Sequence, residues 1–234
     1  MTDEYITLHV SDAADMRAFV ARPRARGNGA GLLLFQEALG VNAQLRRVAE
    51  RWAGEGYVVA APELFHRVAP GYERSKLDMA ELMPMIKTLT VDGMVADARA
   101  AFDWMTKEKG VDAKRIAALG FCMGGRAAYL ANSELPLAAA VSYYGGSIAP
   151  NLLDRAAKLH GPHLFFWGGI DQGIPPEQRR AVADAVRAAG KKFVDVEFSD
   201  ANHGFFNEEL PERHNASAAA QSWALATAFL RQHC

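Results

Sequence analysis

Cysteine is nearly absent: the 234 residues contain two, Cys122 and Cys234. Two thiols make neither a disulfide framework nor a thiolate zinc cluster, so each has to be explained on its own. Long apolar runs are missing as well. Uninterrupted stretches such as Ala30 to Phe35 and Tyr57 to Ala61 fall far short of the ~20 residues a bilayer span needs. The opening Met-Thr-Asp-Glu-Tyr is acidic with no apolar segment behind it, unlike a secretory leader, so a cytoplasmic protein without a membrane partner is expected. Charge of one sign is also lacking. Lysine and arginine number 26 against 27 aspartates and glutamates, a net charge of −1, which leaves no global field to attract nucleic acid. There is no repeat, low-complexity tract or Pro/Gly/Ser linker, and residues 1–234 read as one domain. Neither GxGxxG nor GxxxxGK[ST] occurs. In His160-Gly161-Pro162-His163 the Gly-Pro step breaks the helix that metal geometry would need, so no cofactor or metal is expected.

What is present is ordinary globular composition: 50% apolar and 23% charged, with enough chain to bury a large core and roughly 10,000 Å² of folded surface expected from its mass. Apolar, β-branched and aromatic runs bounded by turn residues fall near 5–10, 16–22, 30–36, 57–61, 115–120, 139–144, 163–168 and 193–198, which predicts eight strands. From the third strand onward, helical spacing occupies 42–54, 75–87, 92–109, 124–132, 177–189 and 214–232. Alternation of strand and helix implies parallel pairing. Leu32-Leu33-Leu34-Phe35, Val58-Val59-Ala60 and Leu164-Phe165-Phe166-Trp167 are continuously apolar, as strands covered on both faces should be. The fold class is therefore α/β, a mostly parallel eight-stranded sheet with helices on both faces. Such sheets hold ligands beyond the carboxyl ends of their strands, which directs attention to the residues following each run.

After the fifth run comes Gly120-Phe121-Cys122-Met123-Gly124-Gly125, then a helix. Glycines two before and two after a nucleophile let strand, sharp turn and helix crowd together without Cβ clashes. Chance would supply Gly-x-(Ser/Cys)-x-Gly only about 0.07 times in this composition. Cys122 would start its helix, where the macrodipole and free amides favour a thiolate. Of seven histidines, His203 is the one in the loop directly after the last strand, Asp200-Ala201-Asn202-His203-Gly204-Phe205, the place for a base. Asp171, presented by Gly168-Gly169-Ile170-Asp171 after the seventh strand, is the natural orienter of that histidine. The order nucleophile, acid, histidine is that of α/β-hydrolases. After the third strand, Gln36-Glu37-Ala38-Leu39-Gly40 should neighbour the elbow. The amides of Ala38 and Met123 would then form an oxyanion hole, with Glu37 held close to the thiol.

These stretches together with Pro62-Glu63-Leu64-Phe65-His66-Arg67 and Tyr143-Tyr144-Gly145-Gly146 resemble the dienelactone hydrolase family over nearly the whole chain. The resemblance implies a cysteine hydrolase with a Cys, Asp and His triad, in which the glutamate pairs with the resting thiol and helps form the thiolate. It also implies two arginines gripping a substrate carboxylate, one soon after the histidine and one in a helical cap. Here Asn207 stands at the first place and the second falls near Ala80. Arg67 and Arg74 are cations that could substitute, and Tyr144 and Phe205 are further candidates for touching substrate. The segment from Tyr72 to Leu89 reads as an apolar cap or, equally well, as ordinary helix core.

The sequence thus predicts a hydrolase of small esters or lactones, working as a monomer or small homo-oligomer. Cys122 attacks, His203 and Asp171 move the proton, and a thioester is the intermediate. The alternatives are a catalytically silent protein on the same fold, or a redox-sensing thiol, for which Cys234 is the sole resolving partner.

Overall fold

Every residue of β3 (Gly31–Phe35), β4 (Val58–Pro62), β5 (Ile116–Phe121), β6 (Ala139–Tyr143) and β7 (His163–Gly168) is buried. That is the physical consequence of continuously apolar strands: both faces must be covered by helices. The computed structural model describes residues 4–12 and 14–234; the first three residues of the stretch read above for a leader lie outside them. The remaining strands are β1 (Glu4–His9), β2 (Asp15–Ala21) and β8 (Phe193–Phe198), and the helices are α1 (Ala43–Gly54), α2 (Met79–Thr88), α3 (Val91–Met105), α4 (Met123–Glu134), α5 (Pro176–Ala188) and α6 (Ala216–His233). All eight strands and all six helices coincide with the predicted segments to within a few residues, the largest offsets being at the start of α2 and the end of α3.

The sheet runs β1-β2-β4-β3-β5-β6-β7-β8. β1 pairs antiparallel with β2, and β2 antiparallel with β4; β4, β3, β5, β6, β7 and β8 are mutually parallel. The chain leaves β3 for β4 on one side and returns past it to β5 on the other. The switch point therefore lies between the carboxyl ends of β3 and β5, where Phe35 is in register with Gly120, and the crevice of such a sheet opens there. The folded surface is 10022 Å², as the mass predicted.

Helix starts are set by short polar caps. Asn42 accepts from the Leu45 amide at 3.1 Å, Asp78 from Ala80 and Glu81, Thr90 from Gly93 and Asn215 from Ala218, each satisfying donors the helix itself cannot. The Asp78 cap explains why α2 starts at 79 and not at 75. Two helices lack such a side-chain cap: α5, which follows Pro175, and α4, which follows Cys122, whose side chain makes no capping bond.

Candidate active site

The turn from β5 into α4 places Cys122 at φ 55 and ψ −120, a region L-residues adopt only under constraint, at a cost of order 1–3 kcal/mol. Three backbone bonds hold it there. The Cys122 amide donates to Tyr143 O at 3.0 Å, and its carbonyl accepts from Gly125 at 2.9 Å and Arg126 at 3.3 Å. The flanking glycines are sterically required. A Cβ on Gly120 would collide with the backbone of Gly124, one on Gly124 with the backbone of Phe35 and Gln36, and one on Gly125 would stand 2.8 Å from Tyr143 O. The thiol, spared from capping, faces a cavity of about 170 Å³ together with Glu37, Ala38, His203 and Arg213.

His203 arrives in the loop after β8 and Asp171 in the glycine turn after β7. Imidazole Nδ1 donates to Asp171 Oδ2 at 2.7 Å, while Asp171 Oδ1 accepts from the Gly173 amide at 2.8 Å. Burial works against the Asp171 carboxylate, but its bonds from His203, Gly173 and Ile174 prevail and hold its pKa below the usual range. Burial would likewise lower the pKa of His203. Interaction with the Cys122 sulfur and the bond to Asp171 outweigh burial and push that pKa up to about 10. These influences require Cys122 and His203 to face one another at close range. A further positive charge comes from Arg126 in the first turns of α4. Burial depresses its pKa and the charge of Cys122 opposes that, and its Nε has no partner among the described residues.

Glu37 is only 8% exposed, so it is no solvated loop glutamate. Its backbone carbonyl accepts from Gly40 at 3.2 Å and from the Gln36 carboxamide at 3.4 Å, and Gln36 is itself anchored by the Leu64 amide. Among the described residues the carboxylate bonds to Asn207, not to the thiol. Burial pushes its pKa up to about 7, restrained by the Asn207 amide and the positive charges of His203 and Arg213 and reinforced by Glu209. The Ala38 and Met123 amides donate to no acceptor among the described residues, which leaves them available at the switch point between β3 and β5.

The cap segment is a pocket wall. Leu77, Met79 and Ile86 line the cavity opposite Leu210, whereas Leu82 alone is buried within α2. Its approach is tied down where Arg74 N bonds Leu39 O at 3.0 Å and Gly40 bridges to Glu73.

Four residues proposed to touch substrate lie elsewhere. Arg67 is committed to Asp12 at 2.6 Å and, through two nitrogens, to Asp97, away from the cavity. Arg74 pairs with Glu81 and covers the Tyr72 ring, its guanidinium 4.7 Å from the centroid; it too lines no part of the cavity. Phe205 is fully buried, packed against Tyr143, Tyr144 and Phe198. Tyr144 is also fully buried and supports the base, its ring 5.0 Å from that of His203. The cation that does line the cavity is Arg213, whose nearest carboxylate, on Glu212, is 4.0 Å away. Nothing in the sequence singled it out: it lies ten residues beyond His203 in an aperiodic loop. Cys234 caps α6 and its carbonyl accepts from Arg115, at the start of β5. Cys122 follows the other end of that strand, about 20 Å away by strand rise, far beyond disulfide reach.

A mostly parallel sheet with a strained turn at the switch strand and an Asp–His pair beyond the next strands is the arrangement of an α/β-hydrolase. The sequence fits the dienelactone hydrolase family over residues 16–234. The chain is similar to proteins named "Putative carboxymethylenebutenolidase" from Salmonella typhimurium, at 35% identity over 91% of this chain and 82% of that one, and from Escherichia coli K12, at 32% over 95% and 84%. It superposes on the crystal structure of "Putative Dienelactone Hydrolase" from Klebsiella pneumoniae with a TM-score of 0.87 and 28% identity, covering 99% and 100% of the two chains. The chain belongs to the dienelactone hydrolase family and is a carboxylic ester or lactone hydrolase. Among the described residues no helix is long and apolar enough to cross a membrane.

Proposed function

We propose that this chain hydrolyses small esters or lactones through a thioester on Cys122. The observation that carries the reading is His203, bonded at 2.7 Å to a buried Asp171 and facing an uncapped thiol in a cavity that also holds Glu37. Glu37, ionised, accepts the thiol proton. The thiolate attacks the carbonyl carbon, and the oxyanion forms toward the Ala38 and Met123 amides. Collapse breaks the C–O bond, and the leaving oxygen takes its proton from the His203 imidazolium. Once Cys122 is acylated its charge is gone, so burial is opposed by Asp171 alone and His203 drops back into the range of a useful base. It then takes a proton from water, hydroxide attacks the thioester, the thiolate departs, the product acid is released, and Glu37 returns its proton to Cys122. A cavity of about 170 Å³ matches one that accepts a benzene-sized guest, which favours compact acyl groups against the Leu77, Met79, Ile86 and Leu210 wall.

Mixing with p-nitrophenyl acetate and recording intact mass within seconds tests this. A transient acetyl adduct on Cys122 is expected, with turnover falling at least about 10³-fold in Cys122→Ala. Equal turnover in both proteins would sink the mechanism. Arg213 is the cation available to a substrate's acidic group, and a charge-assisted bond is worth about 1.5–3 kcal/mol. Arg213→Met should therefore raise KM for p-nitrophenyl succinate about 10-fold more than for the acetate; an unchanged ratio would remove Arg213 from recognition.

A further inference from the structure

Glu37 reaches the cavity because something holds it there, and that partner comes from a distant segment. Asn207 is 1% exposed and uses both ends of its carboxamide. Nδ2 donates to Glu37 Oε1, while Oδ1 accepts from the Glu209 amide at 2.8 Å. The second bond fixes the rotamer, so the NH₂ can point only at Glu37. Its backbone is pinned as well, Asn207 N donating to Gly204 O at 2.9 Å and Asn207 O accepting from Leu210 at 3.2 Å. One residue therefore couples the His203 loop to the Glu37 loop.

We propose that Asn207 is a positioning residue which, by donating a neutral hydrogen bond to one carboxylate oxygen of Glu37, keeps the other oxygen in the cavity as the acceptor of the Cys122 proton. The proposal rests on the role given to Glu37 above. A neutral donor matters here. An amide stabilises the carboxylate without the full opposite charge that would hold it ionised across the whole useful range, so the proton can still be taken up. The groups facing Glu37 are Cys122 from the elbow, Tyr144 beyond β6, and His203, Glu209 and Arg213 from the loop before α6. Burial sets the carboxyl near 7, and the Asn207 bond acts to lower it. The sign follows. Activity needs ionised Glu37, so kcat/KM rises as pH passes upward through about 7. Removing the donor destabilises the charged form and moves the midpoint to higher pH.

The test is the pH profile of kcat/KM for p-nitrophenyl acetate in the natural protein, Asn207→Asp and Asn207→Leu. Asn207→Asp keeps the acceptor for Glu209 and replaces only the donor. Asn207→Leu fills the same space and serves if the aspartate variant does not fold. Both should move the acid limb up by one pH unit or more, giving about a 10-fold deficit at pH 7 that closes to within about threefold at pH 9. A uniform deficit at every pH, or an unmoved or downward-shifted midpoint, would overturn the proposal and leave Asn207 a merely structural residue. A parallel measurement, the pH dependence of Cys122 alkylation by iodoacetamide followed by intact mass, needs no ester turnover. If the natural protein forms no acetyl-Cys122, the hydrolytic reading fails while the alkylation profile still judges Asn207: parallel upward shifts in both variants support it, and superimposable profiles reject it.

Discussion

Asp171→Asn will lower kcat for p-nitrophenyl acetate by about 10³-fold or more while leaving thermal stability close to that of the natural protein. The side chains are nearly isosteric, and the Gly173 amide that bonds Oδ1 at 2.8 Å keeps its acceptor. What changes is the group opposite His203 Nδ1. A carboxylate accepts the Nδ1 proton, whereas a carboxamide NH₂ turned toward Nδ1 makes that nitrogen the acceptor and moves the proton to Nε2, the atom that must serve as base. The wrong tautomer in an otherwise intact triad costs about 10⁴-fold in kcat. The loss should fall unequally on the two halves of the reaction. Thiolate attack needs no base at the moment of bond formation, but water does, so the variant should accumulate acetyl-Cys122 that mass spectrometry detects. A kcat within tenfold of the natural value, or an absence of accumulated adduct, would refute the assignment of Asp171 as orienter.

The second large effect is steric. In Gly124→Ala the new methyl meets the main chain at Phe35, its carbonyl carbon 2.6 Å away, and at Gln36. Backbone at the end of a central strand cannot swing aside like a flexible side chain. Overpacking of a well-filled site costs about 1–3 kcal/mol and occasionally more, and each kcal/mol lowers Tm by about 2–4 °C in a chain of this size. A drop of roughly 2–12 °C is expected. The loop that gives way carries Ala38, so the oxyanion hole opens in the same motion, and losing one donor there costs about 10²–10³ in kcat. Gly54→Ala is the control. It ends α1, nothing stands within 4 Å of a Cβ there, and it should be neutral or slightly stabilising. If Gly124→Ala melts and turns over like Gly54→Ala, the elbow packing described above is wrong.

Strand and helix positions were legible because burial on both faces leaves an unbroken apolar signature, as in Leu32-Leu33-Leu34-Phe35, and polar caps mark where helices can start. The glycines of the elbow were legible for a related reason: their spacing answers a steric demand that no other residue meets. Side chains contributed by loops were harder to read. Arg67 and Arg74 lie in sequence near the cap, yet Asp97 and Glu81 claim their charges. Arg213 reaches the cavity from a segment with no period to read. Aromatic character placed Tyr144 and Phe205 near the site but could not distinguish a wall from the packing beneath it. Asn207 was visible only as a departure from the family's arginine, because its partner lies 170 residues away.

That span has a consequence for biosynthesis. The bond between Glu37 and Asn207 closes only after most of the chain has left the ribosome, and the histidine loop emerges just before it. Until then Cys122 is an ordinary thiol with neither its proton acceptor positioned nor its imidazole in place. The reactive form exists only in the finished molecule, so regain of esterase activity on refolding reports docking of the final loop and α6, and trails recovery of secondary structure.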